Sequence, residues 1–171
     1  IGIRSILFAL LPSFGVSNAA ATLVGQNLGA GKPDRAEAAA WTVGLYNTIF
    51  LGGVGLIFLL FAPLIISLFT HDPDVARYGV SCLRIVSAGF LFYGYAMMFS
   101  ASFNGAGDTW TPTLINILCL WVWEIPLAWA LAYPFGVGPT GVFIAVSVAF
   151  STMAFVAGWQ FSKGTWKLKR I

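Results

Sequence analysis

The sequence predicts an all-α membrane protein built from five transmembrane helices, and two observations carry that prediction. Charged residues make up 9% of the chain and hydrophobic residues 58%, whereas about a quarter of the residues in a soluble domain are charged. Several long stretches also lack any charged side chain, and they cover residues 5 to 31, 38 to 70, 85 to 107 and 125 to 162. Each stretch exceeds the roughly 20 apolar residues that span a bilayer as a helix.

Glycine, proline and charged residues divide the chain into five segments, and each segment is expected to form one helix. The segments run from about 4 to 29, 36 to 69, 76 to 103, 110 to 133 and 139 to 162. The last two come from one uncharged stretch, which the sequence YPFGVGPTG at 133 to 141 divides. A helix cannot continue through its two prolines and three glycines, because proline lacks an N–H donor and glycine is entropically unfavourable in a helix.

The first segment ends at GQNLGAGKPDR, residues 25 to 35, where glycines just before a lysine suggest a phosphate-binding loop. A Walker A loop needs a further glycine five residues before the glycine of its Gly-Lys pair, and a Ser or Thr after the lysine. Here Gln26 holds that glycine position and Pro33 follows Lys32. Nucleotide binding is therefore not predicted.

We interpret the same stretch as a helix end, a tight turn and the start of a new helix. Asn27, Gly29 and Gly31 can take the left-handed conformation that closes a helix C-terminus. Pro33 suits a first helical turn, and Asp34 complements the positive end of the new helix dipole. The stretch therefore predicts a short connection at the membrane surface.

The distribution of charge predicts how the helices are oriented in the membrane. A second Gly-Ala-Gly turn, at residues 105 to 107, follows two helices after the first, so both turns are expected on one membrane face. The cations predicted on that face are Lys32, Arg35, Lys163, Lys167, Lys169 and Arg170, and those on the opposite face are Arg4, Arg77 and Arg84. By the positive-inside rule, the turns and the C-terminus are expected to be cytoplasmic, in a multi-pass protein of the cell membrane.

The cysteines, the tryptophans and the net charge can each be explained by packing or by contact with the membrane. No cofactor, metal or nucleic-acid partner is predicted. The net charge of +3 reflects cations concentrated in the C-terminal tail, where a basic segment meets anionic lipid. Cys82 and Cys119 fall at or inside hydrophobic stretches without metal-ligand spacing, so they are expected to be packing residues. Trp110, Trp159 and Trp166 lie near predicted helix ends, where tryptophans form interfacial belts.

Glu124 is the only ionisable acid well inside a hydrophobic segment, about 4.5 Å along the helix axis from the middle of the fourth segment. A charge at that depth costs about 3 kcal/mol or more, so such residues usually face the interior of a bundle or a water-filled path. We predict that Glu124 binds a proton or a cationic substrate. The alternative is a protonated glutamic acid that packs between helices.

Four further residues are candidates for a binding cavity. Asn47 and Asn116 could line a polar cavity, or they could join helices by hydrogen bonds, which is a common role of asparagine in membranes. Tyr93 and Met97 share the middle of the third segment. Methionine suits a pocket of broad specificity because it is flexible and polarizable, but a lipid-facing or core position is the alternative.

Four stretches of the sequence resemble the multidrug and toxic compound extrusion (MATE) family of transporters. They are ATLVGQNLGAGKPDRAEAA at 21 to 39, FNGAGDTWTPTLIN at 103 to 116, EIPLAWALAYPFGVGPTGVFIAV at 124 to 146 and KGTWKLKR at 163 to 170. Each Gly-Ala-Gly turn alone is a weak signal, but the four motifs together follow the order and helical spacing of the family. The whole chain is similar to the C-terminal half of such a transporter.

The resemblance implies a protein of two six-helix lobes, in which this chain looks like helices eight to twelve. The N-terminal lobe and the first helix of this lobe would then be missing. The implied activity is antiport, in which H+ or Na+ enters while an amphipathic or cationic organic compound is exported by alternating access. Family members with a cation site in this lobe carry an acid at the position of Tyr93, which has no negative charge at neutral pH. Coupling is therefore expected in the missing lobe, or at Glu124.

Two other functions are alternatives. A lipid-linked saccharide flippase of related fold would need cations at its lobe interface, and the segments carry only Arg4 and Arg84, near their ends. A membrane-embedded enzyme would need a nucleophile, base or metal cluster at depth, which one loop histidine and one buried glutamate do not supply. We therefore predict a transporter without catalytic residues.

Overall fold

The computed structural model describes residues 2 to 168, with side chains from residue 4 to residue 167. Lys169 and Arg170, which the sequence places in a cytoplasmic tail, lie outside the described residues. The described chain is helical and contains no strand. Its helices are α1 Gly2–Gly29, α2 Pro33–Ser67, α3 Pro73–Ala88, α4 Phe90–Gly105, α5 Trp110–Asn116, a π-helical segment Ile117–Trp123, α6 Glu124–Ala132, α7 Pro139–Ser162 and a short 3-10 helix Thr165–Leu168.

Five stretches of this bundle can cross a membrane by their length and composition. Four of them are continuous, and they are Arg4–Gly29, Pro33–Ser67, Trp110–Ala132 and Pro139–Ser162. The pair α3 and α4 meets the same criteria together, although the two helices are bent by 55°. The predicted fold class, an all-α membrane protein with five transmembrane helices, is confirmed.

The third span differs from the single helix predicted over residues 76 to 103, because it bends at Gly89. In a straight helix the Gly89 N–H would bond the carbonyl of Ile85, but here it bonds the carbonyl of Val86 at 3.0 Å. Ser147 of α7 instead donates its hydroxyl to the Ile85 carbonyl at 2.8 Å. A side chain inserted into the hydrogen-bond ladder is a recognised cause of kinks. The prediction of one unbroken helix was wrong because the interrupting hydroxyl comes from a distant part of the chain.

The fourth span contains the π-helical segment Ile117–Trp123, in which the hydrogen bonds reach back five residues instead of four. At its end the Glu124 N–H bonds the carbonyl of Cys119. Pro126 follows this segment, and its ring has no N–H and would clash with the carbonyl four residues earlier in a regular helix. Glu124 therefore stands where the span changes from π-helix back to α-helix.

The long uncharged stretch is interrupted in the part of the sequence that carries YPFGVGPTG. Helix α6 ends at Ala132 and α7 begins at Pro139, and two glycines in the connection have positive φ angles of 68° and 64°. Gly141 lets α7 return close to α6, since a Cβ there would lie 2.8 Å from the carbonyl carbon of Leu131. The fourth and fifth spans are thus packed against each other directly after the turn.

The two Gly-Ala-Gly turns close with their last glycine in the left-handed conformation, with φ angles of 69° at Gly31 and 75° at Gly107. Asn27 and Gly29, which were also expected to take that conformation, are helical because α1 continues to Gly29. Pro33 occupies the first turn of α2. One left-handed residue is therefore enough to reverse the chain at each turn.

Helices α1 and α4 cross at a point where both carry glycine. A Cβ on Gly25 would lie 3.0 Å from the carbonyl oxygen of Gly105, and a Cβ on Gly105 would lie 2.6 Å from the Cα of Ala21. Small residues let membrane helices approach until their backbones touch. The close approach of α1 and α4 therefore depends on glycine at positions 25 and 105.

Two hydrophobic clusters fill the bundle, one at each end of the helices. The cluster near the Gly-Ala-Gly turns includes Val24, Ala40, Phe103, Ala157 and Phe161. The cluster at the opposite end includes Leu10, Leu51, Ile66, Leu83 and Phe90. Buried polar side chains of α1 and α2 lie between the two clusters, and they are Ser13, Ser17 and Asn47.

The segment after α7 folds back onto the end of the bundle. Trp166 is fully buried, its Nε1 donates to the carbonyl of Phe161 at 2.9 Å, and the two rings stack with centroids 4.6 Å apart. The interfacial position predicted for Trp166 is therefore wrong, because its ring completes the hydrophobic cluster beside Phe161. Trp110 and Trp159 do lie on the surface, with 68% and 66% of their area exposed.

Lys167 joins this C-terminal segment to the start of α2. Its Nζ lies 2.5 Å from Oε2 of Glu37 and 3.3 Å from Oδ1 of Asp34. The hydrogen bond to Glu37, followed by the one to Asp34, raises the pKa of Lys167 above its ordinary value. The contact places the first turn of α2 and the end of α7 at the same end of the bundle.

Candidate functional site

The helices enclose a cavity of about 370 Å³, and some of the side chains predicted to bind a ligand line it. Helices α1, α4 and α7 and the fourth span surround it. The lining residues are Phe14, Ser17, Asn18, Tyr93, Ala96, Met97, Ser100, Ala101, Asn104, Asn116, Leu120, Phe150 and Met153. None of these thirteen side chains is charged.

The cavity combines apolar bulk with a few polar groups. Phe14, Tyr93 and Phe150 contribute aromatic rings and two methionines contribute flexible thioethers. The amide side chains of Asn104 and Asn116 can donate and accept hydrogen bonds. Binding sites for small organic molecules have this composition, in which apolar walls supply affinity and a few polar groups fix orientation.

Tyr93 and Met97 lie one turn apart on α4, and both face the cavity. The Tyr93 ring packs on Phe150 of α7 with centroids 4.2 Å apart. The Met97 sulfur lies 3.4 Å from the hydroxyl oxygen of Ser13 on α1. Both side chains are therefore held by neighbouring helices while they contribute to the cavity wall.

Asn47 lies outside the cavity and joins three helices. The Ser13 hydroxyl donates to its Oδ1 at 2.7 Å. Its Nδ2 donates to the hydroxyl oxygen of Ser17 at 3.0 Å and to the carbonyl of Gly94 at 3.2 Å. With no exposed area and both amide atoms bonded, the Asn47 side chain has the geometry of the interhelical hydrogen-bonding role.

Glu124 occupies the first position of α6, directly after the π-helical segment, and is partly buried. Its carboxyl group forms no hydrogen bond or ion pair with any side chain between residues 4 and 167. Glu124 does not line the cavity, but its carboxyl is close enough to Tyr93 for the two groups to interact electrostatically. Leu120, four residues before Glu124 in the same span, does line the cavity.

The structure thus brings three of the five predicted residues, Tyr93, Met97 and Asn116, to one cavity. It places Asn47 in a separate hydrogen-bond network and Glu124 beside the cavity. The sequence prediction missed Phe150 and Ser100, which also line it. Neither could be recognised in the sequence, because Phe150 is one of fifteen phenylalanines and Ser100 is one of many small residues in the helices.

Comparisons with known proteins agree with the helical architecture. The sequence profile of the MatE family matches residues 1–130. The chain is 25% identical over its full length to a probable multidrug resistance protein NorM of Thermotoga maritima. It is also 28% identical, over 96% of its length, to a probable multidrug resistance protein YoeA of Bacillus subtilis.

Solved structures show the same fold. The structure described as the crystal structure of MATE in the straight conformation superposes with a TM-score of 0.90, at 22% identity over 99% of this chain. An inward-facing MATE family transporter of the MOP superfamily superposes with a TM-score of 0.89, over 97% of this chain. The chain spans 37% of the length of the Thermotoga relative and 38% of the length of the straight-conformation structure.

Proposed function

Since the chain belongs to the MatE family, we propose that it forms part of the second lobe of a secondary active antiporter in the cell membrane. The full-length transporter would contain a further lobe and a further helix of this lobe. It would export amphipathic or cationic organic compounds in exchange for H+ or Na+. Alternating access between the two lobes would expose the cavity to each side of the membrane in turn.

The observation that carries this proposal is the uncharged cavity lined by aromatic, methionine and amide side chains. Aromatic faces attract organic cations, and methionine adapts its shape to different apolar groups. A flippase for lipid-linked pyrophosphates would need cations around the ligand, and none of the residues that line this cavity is a cation. The cavity therefore favours an amphipathic organic substrate over a pyrophosphate.

We further propose that Glu124 is the group of this lobe that exchanges a proton or attracts a cation. Its carboxyl lies at membrane depth and has no intramolecular partner among the described side chains. A partly buried acid that forms no hydrogen bond or ion pair gains from taking up a proton or a cation, because either one neutralises its charge. Tyr93, which interacts with Glu124 and lines the cavity, would transmit the state of this carboxyl to the substrate site.

Filling the cavity tests its role in transport. Everted vesicles that contain the full-length transporter would be given an H+ or a Na+ gradient, and uptake of a fluorescent organic cation would be measured. Ala101→Phe introduces a ring into the cavity wall and should reduce uptake by about tenfold or more, because a loss of 1.4 kcal/mol in binding is already a factor of ten. The matched change Ala19→Phe lies on an exposed position of α1 and should leave uptake unchanged. Equal uptake by the two variants would contradict a transport role for the cavity.

We propose that the end of the bundle with the Gly-Ala-Gly turns faces the cytoplasm. Lys32, Arg35, Lys163 and Lys167 lie at that end, and the positive-inside rule assigns the more cationic face to the cytoplasm. Single cysteines at Lys32 and at Arg77 of a cysteine-free full-length transporter would be treated with an impermeant reagent in intact cells. Only the cysteine at Arg77 should react, and labelling at Lys32 would contradict this orientation.

A further inference from the structure

The outer face of the α1–α2 hairpin carries a groove of about 560 Å³ that shares no residue with the central cavity. It begins at the turn between the two helices and continues along both of them as far as Leu23 and Thr42. The groove is lined by Leu23, Gln26, Asn27, Ala30, Lys32, Arg35, Ala38, Ala39 and Thr42. Among the residues that the structure describes, the groove opens away from the central cavity.

The charges at the start of α2 are divided between two faces of the helix. The two acids, Asp34 and Glu37, contact Lys167 of the C-terminal segment. Arg35 is two residues from Glu37, and side chains two apart on a helix do not share a face. Lys32 and Arg35 both line the groove and form no ion pair with any side chain described between residues 4 and 167. The groove thus has two cations that form no ion pair, while the two acids lie on the neighbouring face of the helix.

The polar and apolar parts of the groove follow one another along the helices. Gln26 and Asn27 add amide groups near the two cations at the turn. Further along, the wall consists of Leu23 and the alanines of α2, and it reaches Thr42, about 11 Å along the helix axis from Arg35. This order, from cationic to apolar, matches a phospholipid whose phosphate lies at the membrane surface and whose acyl chain enters the bilayer.

We propose that the groove binds one anionic phospholipid, such as phosphatidylglycerol, from the leaflet at this end of the bundle. The Arg35 guanidinium can form two parallel hydrogen bonds to a phosphate, and Lys32 adds a second positive charge. The acyl chain lies against Leu23 and Ala38. Helix α2 then carries an acid face that joins it to the C-terminal segment and a cationic face that joins it to lipid. This lipid site is separate from the cavity, and binding there does not depend on the exported compound.

Native mass spectrometry of the full-length transporter in detergent measures this binding directly. The protein would be titrated with phosphatidylglycerol and, separately, with phosphatidylcholine of the same acyl chains. The double variant Lys32→Gln/Arg35→Gln should bind phosphatidylglycerol about 30-fold more weakly than the wild type, because each cation near an anionic surface contributes roughly a factor of five. Binding of phosphatidylcholine should be weak in both proteins.

Two further variants separate the groove from general surface charge. Lys163 is a cation at the same end of the bundle, but it lies over the Trp159 ring and outside the groove. The Lys163→Gln variant should therefore bind phosphatidylglycerol within about twofold of the wild type. Ala38→Trp keeps both cations but places a large ring in the groove, so this variant should lose phosphatidylglycerol binding. Both positions are on the surface, so unchanged thermal unfolding would verify that each variant folds.

Three results would overturn the proposal. The double variant could bind phosphatidylglycerol as tightly as the wild type. The Lys163→Gln variant could lose as much affinity as the double variant, which would show general attraction to charge. Soluble glycerol 3-phosphate could bind the wild type as tightly as the lipid does, which would show an anion site that makes no use of the apolar wall.

Discussion

Asn47 and Glu124 are both strongly polar side chains in membrane-spanning helices, but their surroundings are opposite. Asn47 is fully buried and makes three hydrogen bonds to α1 and α4. The Glu124 carboxyl makes none with the described side chains, although it interacts electrostatically with Tyr93. The comparison indicates that a polar group with all its bonds formed stabilises the bundle, whereas one without partners remains able to bind a proton or a cation.

The backbone around each residue fits this difference. Near Asn47, α1, α2 and α4 pack closely, and Gly94 on α4 lies so near α2 that a Cβ would be 3.1 Å from the Thr48 backbone nitrogen. Near Glu124, the fourth span departs from regular α-helix through the segment Ile117–Trp123. Regions with π-helical turns often occur at functional sites. We therefore expect substitutions in the first region to reduce stability and substitutions in the second to change transport.

The largest expected effect on stability is at Gly105, where α1 and α4 cross with their backbones in contact. Gly105→Ala places a Cβ 2.6 Å from the Cα of Ala21, so α1 and α4 must move apart. We expect a loss of about 3 kcal/mol in unfolding free energy, measured by chemical unfolding of the full-length transporter in mixed micelles. The control Gly53→Ala introduces a Cβ with no atom within 4 Å and should be neutral or stabilising by up to about 1 kcal/mol. Equal effects at the two glycines would show that the crossing is not tightly packed.

Removal of the Asn47 side chain should have the next largest effect. Asn47→Ala breaks three interhelical hydrogen bonds and leaves Ser17 and the Gly94 carbonyl without this partner. We expect a loss of about 2 kcal/mol, because each such bond in a membrane contributes roughly 0.6 kcal/mol and a small cavity adds to the loss. Asn18→Ala is the matched control, since Asn18 is exposed and lines the cavity, and should lose less than about 0.5 kcal/mol. A smaller loss for Asn47→Ala than for Asn18→Ala would contradict the structural role.

The sequence contained most of the information about the spans but less about the site. Uncharged stretches marked the membrane segments because charge is costly in a bilayer wherever it occurs in the chain. The bend at Gly89 was not predictable, because it depends on a hydroxyl from Ser147, which is far away in the sequence. The burial of Trp166 was missed for a different reason, since Phe161 is only five residues away but the turn between them has a path that the sequence does not define.

The candidate site was predictable only in its residue types. Tyr93 and Met97 were recognisable because they share the middle of one helix, and both line the cavity. The sequence could not distinguish an asparagine that joins helices from one that lines the cavity. Asn47 does the first and Asn116 the second, although both occur in apolar segments. Which side of a nearly uniformly apolar helix faces a cavity depends on the packing of its neighbours, and a single sequence does not show that packing.

A smaller effect on stability is expected at Tyr93, which belongs to the second region. Tyr93→Phe keeps the ring that packs on Phe150 and removes only the hydroxyl, so stability should change by less than about 0.5 kcal/mol. Uptake of an organic cation should fall by about threefold or more, since the change removes the polar group of a side chain that lines the cavity. Transport kinetics at several substrate concentrations measure the change. Unchanged uptake would show that Tyr93 contributes only its ring.

The measurement that tests the account most directly is the pH dependence of ion-driven export by Glu124→Gln. Glutamine preserves the size of the side chain and its ability to form hydrogen bonds, but it does not titrate, so stability should change least of all. Everted vesicles with wild-type or variant transporter would be compared across a series of pH values at a fixed ion gradient. We expect the variant to lose most of the wild-type export and the remainder to be independent of pH. If the variant exports as fast as the wild type with the same pH dependence, Glu124 is a packing residue and coupling lies elsewhere in the transporter.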